Sequence, residues 1–425
     1  MIMKIRPGLA MAVSALAVML SAPVQAADII VTNATLFDGT GSDPVKNANI
    51  IIEDGRIKGV EIGDTSETAT LVIDAGGKTV MPGLINAHFH LFFDFYSSPP
   101  VNPATSDETA EAYIRDVMPG RLQSHLEQGI TSLFSPIDYA PHIFNLRDQV
   151  ASGEISGPRL FISGPILMHS GNHYACSGDT DAAKAWCNER ISLPIDTPDQ
   201  ARASVQKLVS DGADVLVFDA VSNQETLQKD AFSAMIDEAH RLGKRIVSHN
   251  LDARDVPFML EAGIDGFIHA PSLFRDTDGT LLTEAGKRGL PLPATLGFYQ
   301  RYIAEGHANS ADIEEYETQK HNIELMYAAG ATPLFASDMP GLPAPEVVPT
   351  VTGVMSGLGL DNKTILLSAT RNVARNLLGR DDLGTIEPGQ IADLILVDGD
   401  PLTDLAALTR VEVVIKDGSL AVDKR

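Results

Sequence analysis

The chain reads as an α/β protein in which eight strand–helix units close into a barrel and both ends of the polypeptide build a small sheet module beside it. Three observations predict this. Between about positions 80 and 379, short apolar runs alternate with amphipathic stretches of helical period, the pattern of repeated βα units. The segments on either side of that middle have another texture, short strands broken by turns. Histidine and aspartate side chains end several of the apolar runs, which is where a parallel barrel carries its chemistry.

Positions 1–26 hold Lys4 and Arg6, an apolar run over 9–20, then Ser21-Ala22-Pro23-Val24-Gln25-Ala26, with small residues where a signal peptidase inspects. This predicts a signal peptide cut after Ala26 and a periplasmic or secreted product. A membrane anchor is excluded, because the run is well short of the roughly 20 residues a bilayer span needs. Over 27–79 the strands fall at 29–36, 48–53, 57–62 and 71–73, with Asp54-Gly55 as a hairpin turn. Across 80–383 the barrel strands begin near Leu84, Ile130, Pro158, Ala213, Arg245, Ile264, Leu290 and Ala331, with helices over 199–210, 229–241 and 313–329 among the connections. Two prolines in Leu290-Pro291-Leu292-Pro293 run against a strand there. Over 384–425, strands at 392–398 and 411–415, the latter closed by Asp417-Gly418, return the chain to the first module.

The formal net charge is -24, and the expected cut removes two further positive charges. Such acidity excludes nucleic acid and anionic membrane as partners. A small molecule or short peptide is the expected partner, and association into a homo-oligomer is left open by the sequence. Cys176 and Cys187, in one segment rich in Gly, Ser, Asp and Asn, are expected to pair as a disulfide in an exported protein. The alternative is a pair of zinc ligands, although no third Cys or His stands at finger spacing.

His88 and His90 end the first predicted strand, and alternation puts both imidazoles on one face. The fifth strand ends in His249, the sixth in His269 and the eighth in Asp338. These five form a candidate metal set. His125, His142, His240, His307 and His321 fall in helices or long connections and receive no role.

The stretch from Asp74 through Met81-Pro82-Gly83-Leu84-Ile85-Asn86-Ala87-His88-Phe89-His90, the residues His249, His269 and Asp338, and Gly384-Thr385-Ile386-Glu387-Pro388-Gly389-Gln390-Ile391-Ala392-Asp393-Leu394 together resemble the metal-dependent amidohydrolase superfamily. The resemblance implies a distorted (β/α)8 TIM barrel with a β-sandwich-like module from both termini. The interval from His249 to His269 and the segment Gly164 to His173 are most similar to the exported branch of Xaa-Pro dipeptidases, related carboxypeptidases and ochratoxin-hydrolysing amidases. In those relatives a Gly-Gly-His element contacts substrate. His173 is the matching position, preceded here by Asn172.

One departure matters. Close relatives carry a fourth-strand lysine whose carbamate bridges two metals, whereas Gly212-Ala213-Asp214-Val215-Leu216-Val217-Phe218 places Val217 there. Two divalent cations about 3.5 Å apart repel by roughly 19 kcal/mol at an effective dielectric near 20, so such a pair needs a bridging anion. One Zn2+ is therefore favoured over two. The mononuclear arrangement of deaminase-like members maps onto His88, His90, His249 and Asp338, freeing His269 to hydrogen-bond the carbonyl or the attacking water. Asp252 stands where deaminases typically have Glu. Asp219, on the Val217 face, either binds a second ion or, the favoured reading, caps a turn over 220–223.

The expected function is an exported metal-dependent hydrolase of amide or peptide bonds, a peptidase or N-acyl amino-acid amidase. Asp338 serves as proton shuttle and His269 as a catalytic partner. Phe89, Phe92, Phe93, Phe95, Tyr96 and Trp186 either offer an aromatic surface at the mouth or pack the loops onto the barrel. Arg301 and Tyr302 are candidates to receive a carboxylate. The alternatives are a lactone or ester hydrolase, a deaminase-like mononuclear enzyme, and a non-catalytic binding protein that kept the fold.

Overall fold

A computed structural model describes residues 27–93, 104–170, 176, 180–220 and 229–425. The expected signal peptide, His173, Phe95 and Tyr96 lie outside the described residues. Both ends of the described chain meet in one eight-stranded sheet. Ala27–Leu36 pairs antiparallel with Val45–Glu53 and parallel with Ala69–Asp74 and Thr79–Pro82. Thr79–Pro82 in turn pairs antiparallel with Leu394–Val397, which continues to Val411–Lys416 and Ser419–Asp423.

Period-2 alternation lets this sheet serve two apolar layers. Leu394 and Leu396 join Ile29, Val31, Ile50, Ile52 and Val413 in a cluster of the sheet's own. Ile395 and Val397 face the other way, into the main core. The two hairpin tips, Asp54-Gly55 and Asp417-Gly418, have positive φ at both residues, as type I′ turns require. They also abut: a Cβ on Gly418 would lie 2.5 Å from the Gly55 Cα, so this contact admits only glycine.

The eight expected inner strands appear in order, as Leu84–Asn86, Ile130–Pro136, Arg159–Gly164, Leu216–Phe218, Ile246–Ser248, Gly266–Phe267, Pro291–Pro293 and Thr332–Leu334. Every sheet pairing among them in the described residues is parallel. Their residues are buried almost throughout, as parallel strands covered on both faces require. The prolines of the seventh strand are accommodated at its two ends, opposite Thr332 and Leu334. Backbone hydrogen bonds join the pieces: Asp214 N donates to Ile162 O at 2.8 Å, and Ala87 N to Phe335 O at 2.8 Å, which brings the eighth strand beside the first.

Two features depart from the sequence reading. The third strand breaks at Gly164 (φ 70) and resumes as Ile166–Met168. That resumed piece pairs with Leu216–Phe218 and with an unexpected strand, Ser192–Pro194. The helices follow their caps. Pro198–Asp211 starts at Thr197, whose side chain accepts from Gln200 N, and ends at Gly212 (φ 96). Ser310–Ala329 opens on a capping box of Asn309 and Asp312. Among the described residues no helix is long and apolar enough to cross a membrane. Cys176 and Cys187 form a disulfide with Cα atoms 5.7 Å apart, so the zinc-ligand alternative for them falls.

Candidate metal centre

Pro82-Gly83 brings the chain from the terminal sheet into the first inner strand, where a Cβ on Gly83 would lie 2.2 Å from Thr131 Oγ1. That close approach seats the strand and aims its end, so that His88 and His90 emerge buried at its C-terminal side. Asp338 arrives from the eighth strand in a left-handed conformation, φ 48, its amide donating to His88 O at 2.9 Å. Asn86 and Ser337, both buried, clip the two strands together. Asn86 Nδ2 donates to Ser337 Oγ at 2.8 Å, while Asn86 Oδ1 accepts from Ser337 N at 3.1 Å and from His88 N at 3.2 Å.

Three ligand atoms converge as a result. His88 Nε2 and His90 Nε2 are 3.0 Å apart, and Asp338 Oδ1 lies 3.2 Å from the first and 3.3 Å from the second. Each imidazole turns its other nitrogen to a backbone carbonyl, His88 Nδ1 to Ile268 O and His90 Nδ1 to Ile137 O, both at 3.1 Å. A carbonyl only accepts, so the proton of each neutral ring sits on Nδ1 and both Nε2 atoms present lone pairs. Two nitrogen lone pairs and a carboxylate oxygen facing one another repel unless a proton or a cation lies among them. The donor set, two imidazoles and one carboxylate, suits a zinc-like divalent ion. Among the described residues these three are the metal-capable group.

Burial pushes the His88 imidazole down. Burial also acts downward on His90, but the Asp338 carboxylate beside it raises that ring overall. Withdrawal from water works upward on Asp338, and the surrounding imidazoles, His88 first, hold it well below the usual carboxylate range. Its carboxylate is the most exposed of the three groups, at 21% of the side chain.

The other expected ligands stand beside this trio. His269 Nε2 is 3.6 Å from Asp338 Oδ2, and its Nδ1 is hydrogen-bonded to Thr295 Oγ1 at 2.7 Å. Burial pushes the His269 ring well below the usual imidazole range. The His249 ring packs edge-on against His269 with centroids 4.7 Å apart. His249 Nδ1 lies 3.3 Å from Asp219 Oδ2, which also accepts from Asn250 Nδ2 at 3.2 Å. Asp219 thus engages His249 and Asn250, while most of the turn it was expected to cap, from 221 on, lies outside the described residues. Phe218 packs against Phe232 of helix Lys229–Arg241, so alternation turns Val217 and Asp219 to the opposite, inner face. Val217 is fully buried in the core.

Several expected mouth residues are structural. Phe89, Phe92 and Phe93 are buried, Phe89 against His125 and Phe93 between His90 and Tyr139. Trp186 packs on Tyr139 and donates to Asp107 at 2.9 Å. Arg301 is ion-paired with Glu305 and Glu346, both at 2.8 Å. Asp252 accepts from Arg254 N and Arg254 Nε at 2.9 Å and caps the turn Ala253–Asp255. Sequence reasoning missed Asn86, Ser337 and Asp138. The strand-end rule that selected Asp338 would also have selected Asp138, which ends Ser135-Pro136-Ile137-Asp138 in the same manner.

The profile of the amidohydrolase family matches residues 79–421. A 5'-deoxyadenosine deaminase of Methanosarcina mazei is 34% identical over 159 residues, 33% of this chain, and the match spans about a third of that relative, 34% of its length. A crystal structure of an amidohydrolase superposes with a TM-score of 0.76 at 25% identity, covering 93% of this chain and 99% of that one. A Xaa-Pro dipeptidase crystallised with methionine in its active site superposes with a TM-score of 0.75 at 22% identity, covering 92% and 99%.

Proposed function

We propose, from the premise that this chain belongs to the amidohydrolase family, that it is an exported metal-dependent hydrolase of C–N bonds acting on small amides or short peptides. The observation that carries this is the meeting of His88 Nε2, His90 Nε2 and Asp338 Oδ1 within 3.3 Å, with both imidazole protons committed elsewhere. The closed (β/α)8 barrel, the sandwich-like terminal module and the boundaries 27–79, 80–383 and 384–425 belong to the same reading. The family match over 79–421 supports it. The disulfide supports export, since such bonds persist in oxidising compartments.

His88, His90 and Asp338 would hold one divalent ion, with zinc the favoured identity. When bound, such an ion supplies a water acidified toward neutrality and a Lewis acid for the substrate carbonyl. The chain's own groups divide the remaining work. Asp338 turns Oδ1 to the imidazoles and Oδ2 toward His269, so one oxygen holds position while the other can take the proton of the attacking water and return it to the leaving nitrogen. His269, oriented by Thr295, can hydrogen-bond the substrate oxygen as charge develops there. Asp219 orients His249, which joins the set as a further ligand or as a wall of the pocket. With Val217 buried and apolar where a bridging anion would stand, one ion is the proposed stoichiometry. His173 is proposed to contact substrate.

The Xaa-Pro dipeptidase neighbour supports short peptides as substrates, and N-acyl amino acids with apolar or aromatic groups are proposed beside them. A deaminase reading has the Methanosarcina mazei relative behind it. Asp252 argues against that reading, because its carboxylate is spent on Arg254. The test is metal analysis of mature protein together with turnover on a panel of dipeptides, N-acyl amino acids, lactones and nucleosides. Bound zinc with amide cleavage that His88→Ala abolishes is expected. Ligand binding without turnover would favour the binding-protein alternative, and nucleoside or lactone turnover alone would favour the other two.

A further inference from the structure

We infer that the buried turn Ser135-Pro136-Ile137-Asp138, at the end of the second inner strand, sets the tautomer and aim of His90, with Asp138 as the positioning residue. The inference rests on the reading that His90 is a metal ligand. Ile137 has φ 60, a left-handed conformation that a β-branched residue adopts only under constraint. The constraint is visible. Ile137 N donates to Ser163 Oγ at 2.8 Å, and Asp138 N donates to Gly164 O at 3.3 Å, so the third strand grips the turn from one side. That conformation points Ile137 O at His90 Nδ1, 3.1 Å away, and so keeps the ring's proton off Nε2.

Asp138 grips from the other side. Its Oδ1 accepts from Phe92 N and its Oδ2 from Leu91 N, both at 3.1 Å, and the Ser135 hydroxyl donates to Oδ2 as well. Ser135, Ile137, Asp138 and Ser163 are all fully buried. A carboxylate is costly at such depth unless several donors satisfy it. Here two of those donors are the amides of the two residues that follow His90. One turn therefore fixes His90 twice, through the ring by Ile137 O and through the backbone by Asp138.

Asp138→Asn separates this role from simple scaffolding. An asparagine keeps the shape but offers one oxygen and one NH2, so a donor must face one of the two amides. Wild-type and variant chains, stripped of metal and titrated with Co2+ against a chelator, should differ about 10- to 100-fold in affinity, the usual effect of losing a group that orients a ligand. The visible Co2+ bands should shift as well. Imidazole 15N NMR of the metal-free chains should show His90 as the Nδ1–H tautomer in the wild type and as a mixture in the variant.

Unchanged affinity, bands and tautomer in Asp138→Asn would overturn the inference. If that variant does not fold, Ser163→Ala decides by the same three readouts, since it frees Ile137 N. A wild-type chain that takes up no Co2+ would refute the metal reading, and the NMR comparison would then judge the positioning role by itself.

Discussion

Replacing Asn86 with alanine should cost far more than the loss of one polar side chain suggests. Asn86 is fully buried, and its carboxamide oxygen accepts from two backbone amides, those of His88 and Ser337. Truncation leaves both amides buried without that acceptor, at about 1–3 kcal/mol each, so the expected loss is about 2–6 kcal/mol. The hydroxyl of Ser337 still donates to His88 O at 3.2 Å and adds little to the sum. Against a total stability of about 5–15 kcal/mol this is severe. The assay is urea unfolding of metal-free protein, where the midpoint should fall with the slope unchanged. Adding Ser337→Ala should cost less than it does alone, with a coupling of about 0.5–3 kcal/mol. A loss below about 1 kcal/mol would refute the reasoning, because it would mean the two amides find other partners once the carboxamide is gone.

Further expectations follow from the same geometry. Asp338→Asn should lower kcat by a factor of about 10²–10⁴ while changing KM little, because it removes the proton carrier; steady-state kinetics on a cleaved amide decides this. Val217→Lys, expressed with bicarbonate, should raise zinc content from one toward two ions per chain by elemental analysis, and an unchanged ratio would mean that the site is built around one ion. The Asp107 carboxylate accepts from His142, Trp186 and Arg190, and these bonds, His142 first, hold it down to about 2. A carboxyl lowered on folding stabilises above its unfolded value of about 3.9 and loses that stabilisation as pH falls through the folded one. Acid titration of the chain's single tryptophan should therefore show Trp186 emission changing between about pH 4 and pH 2, and Asp107→Asn should flatten that transition.

Much of the architecture was legible because it depends on local periodicity. Parallel strands buried on both faces must be apolar runs, and connecting helices must be amphipathic, so eight alternations could be counted from residue order alone. The seventh strand survived its two prolines because they sit at its ends. The break at Gly164 and the added strand Ser192–Pro194 were not legible, since both depend on which neighbour the chain finds after a turn. The aromatic residues near the first strand could be read as mouth or as packing, and burial settled Phe89, Phe92 and Phe93 as packing.

The candidate site divides along the same line. Residue order alone determined that imidazoles and a carboxylate would end strands one, five, six and eight, because alternation and strand length fix which side chains face inward at a strand's end. Only the tertiary structure decided how they group. His88, His90 and Asp338 meet because the Asn86–Ser337 clip locks the first strand to the eighth, 251 positions apart in the chain. His249 is drawn to Asp219 and His269 to Thr295 by hydrogen bonds between neighbouring strands. Ligand chemistry is written in residue types, whereas the direction of a lone pair depends on what the other ring nitrogen touches, and that partner is supplied by a distant part of the fold.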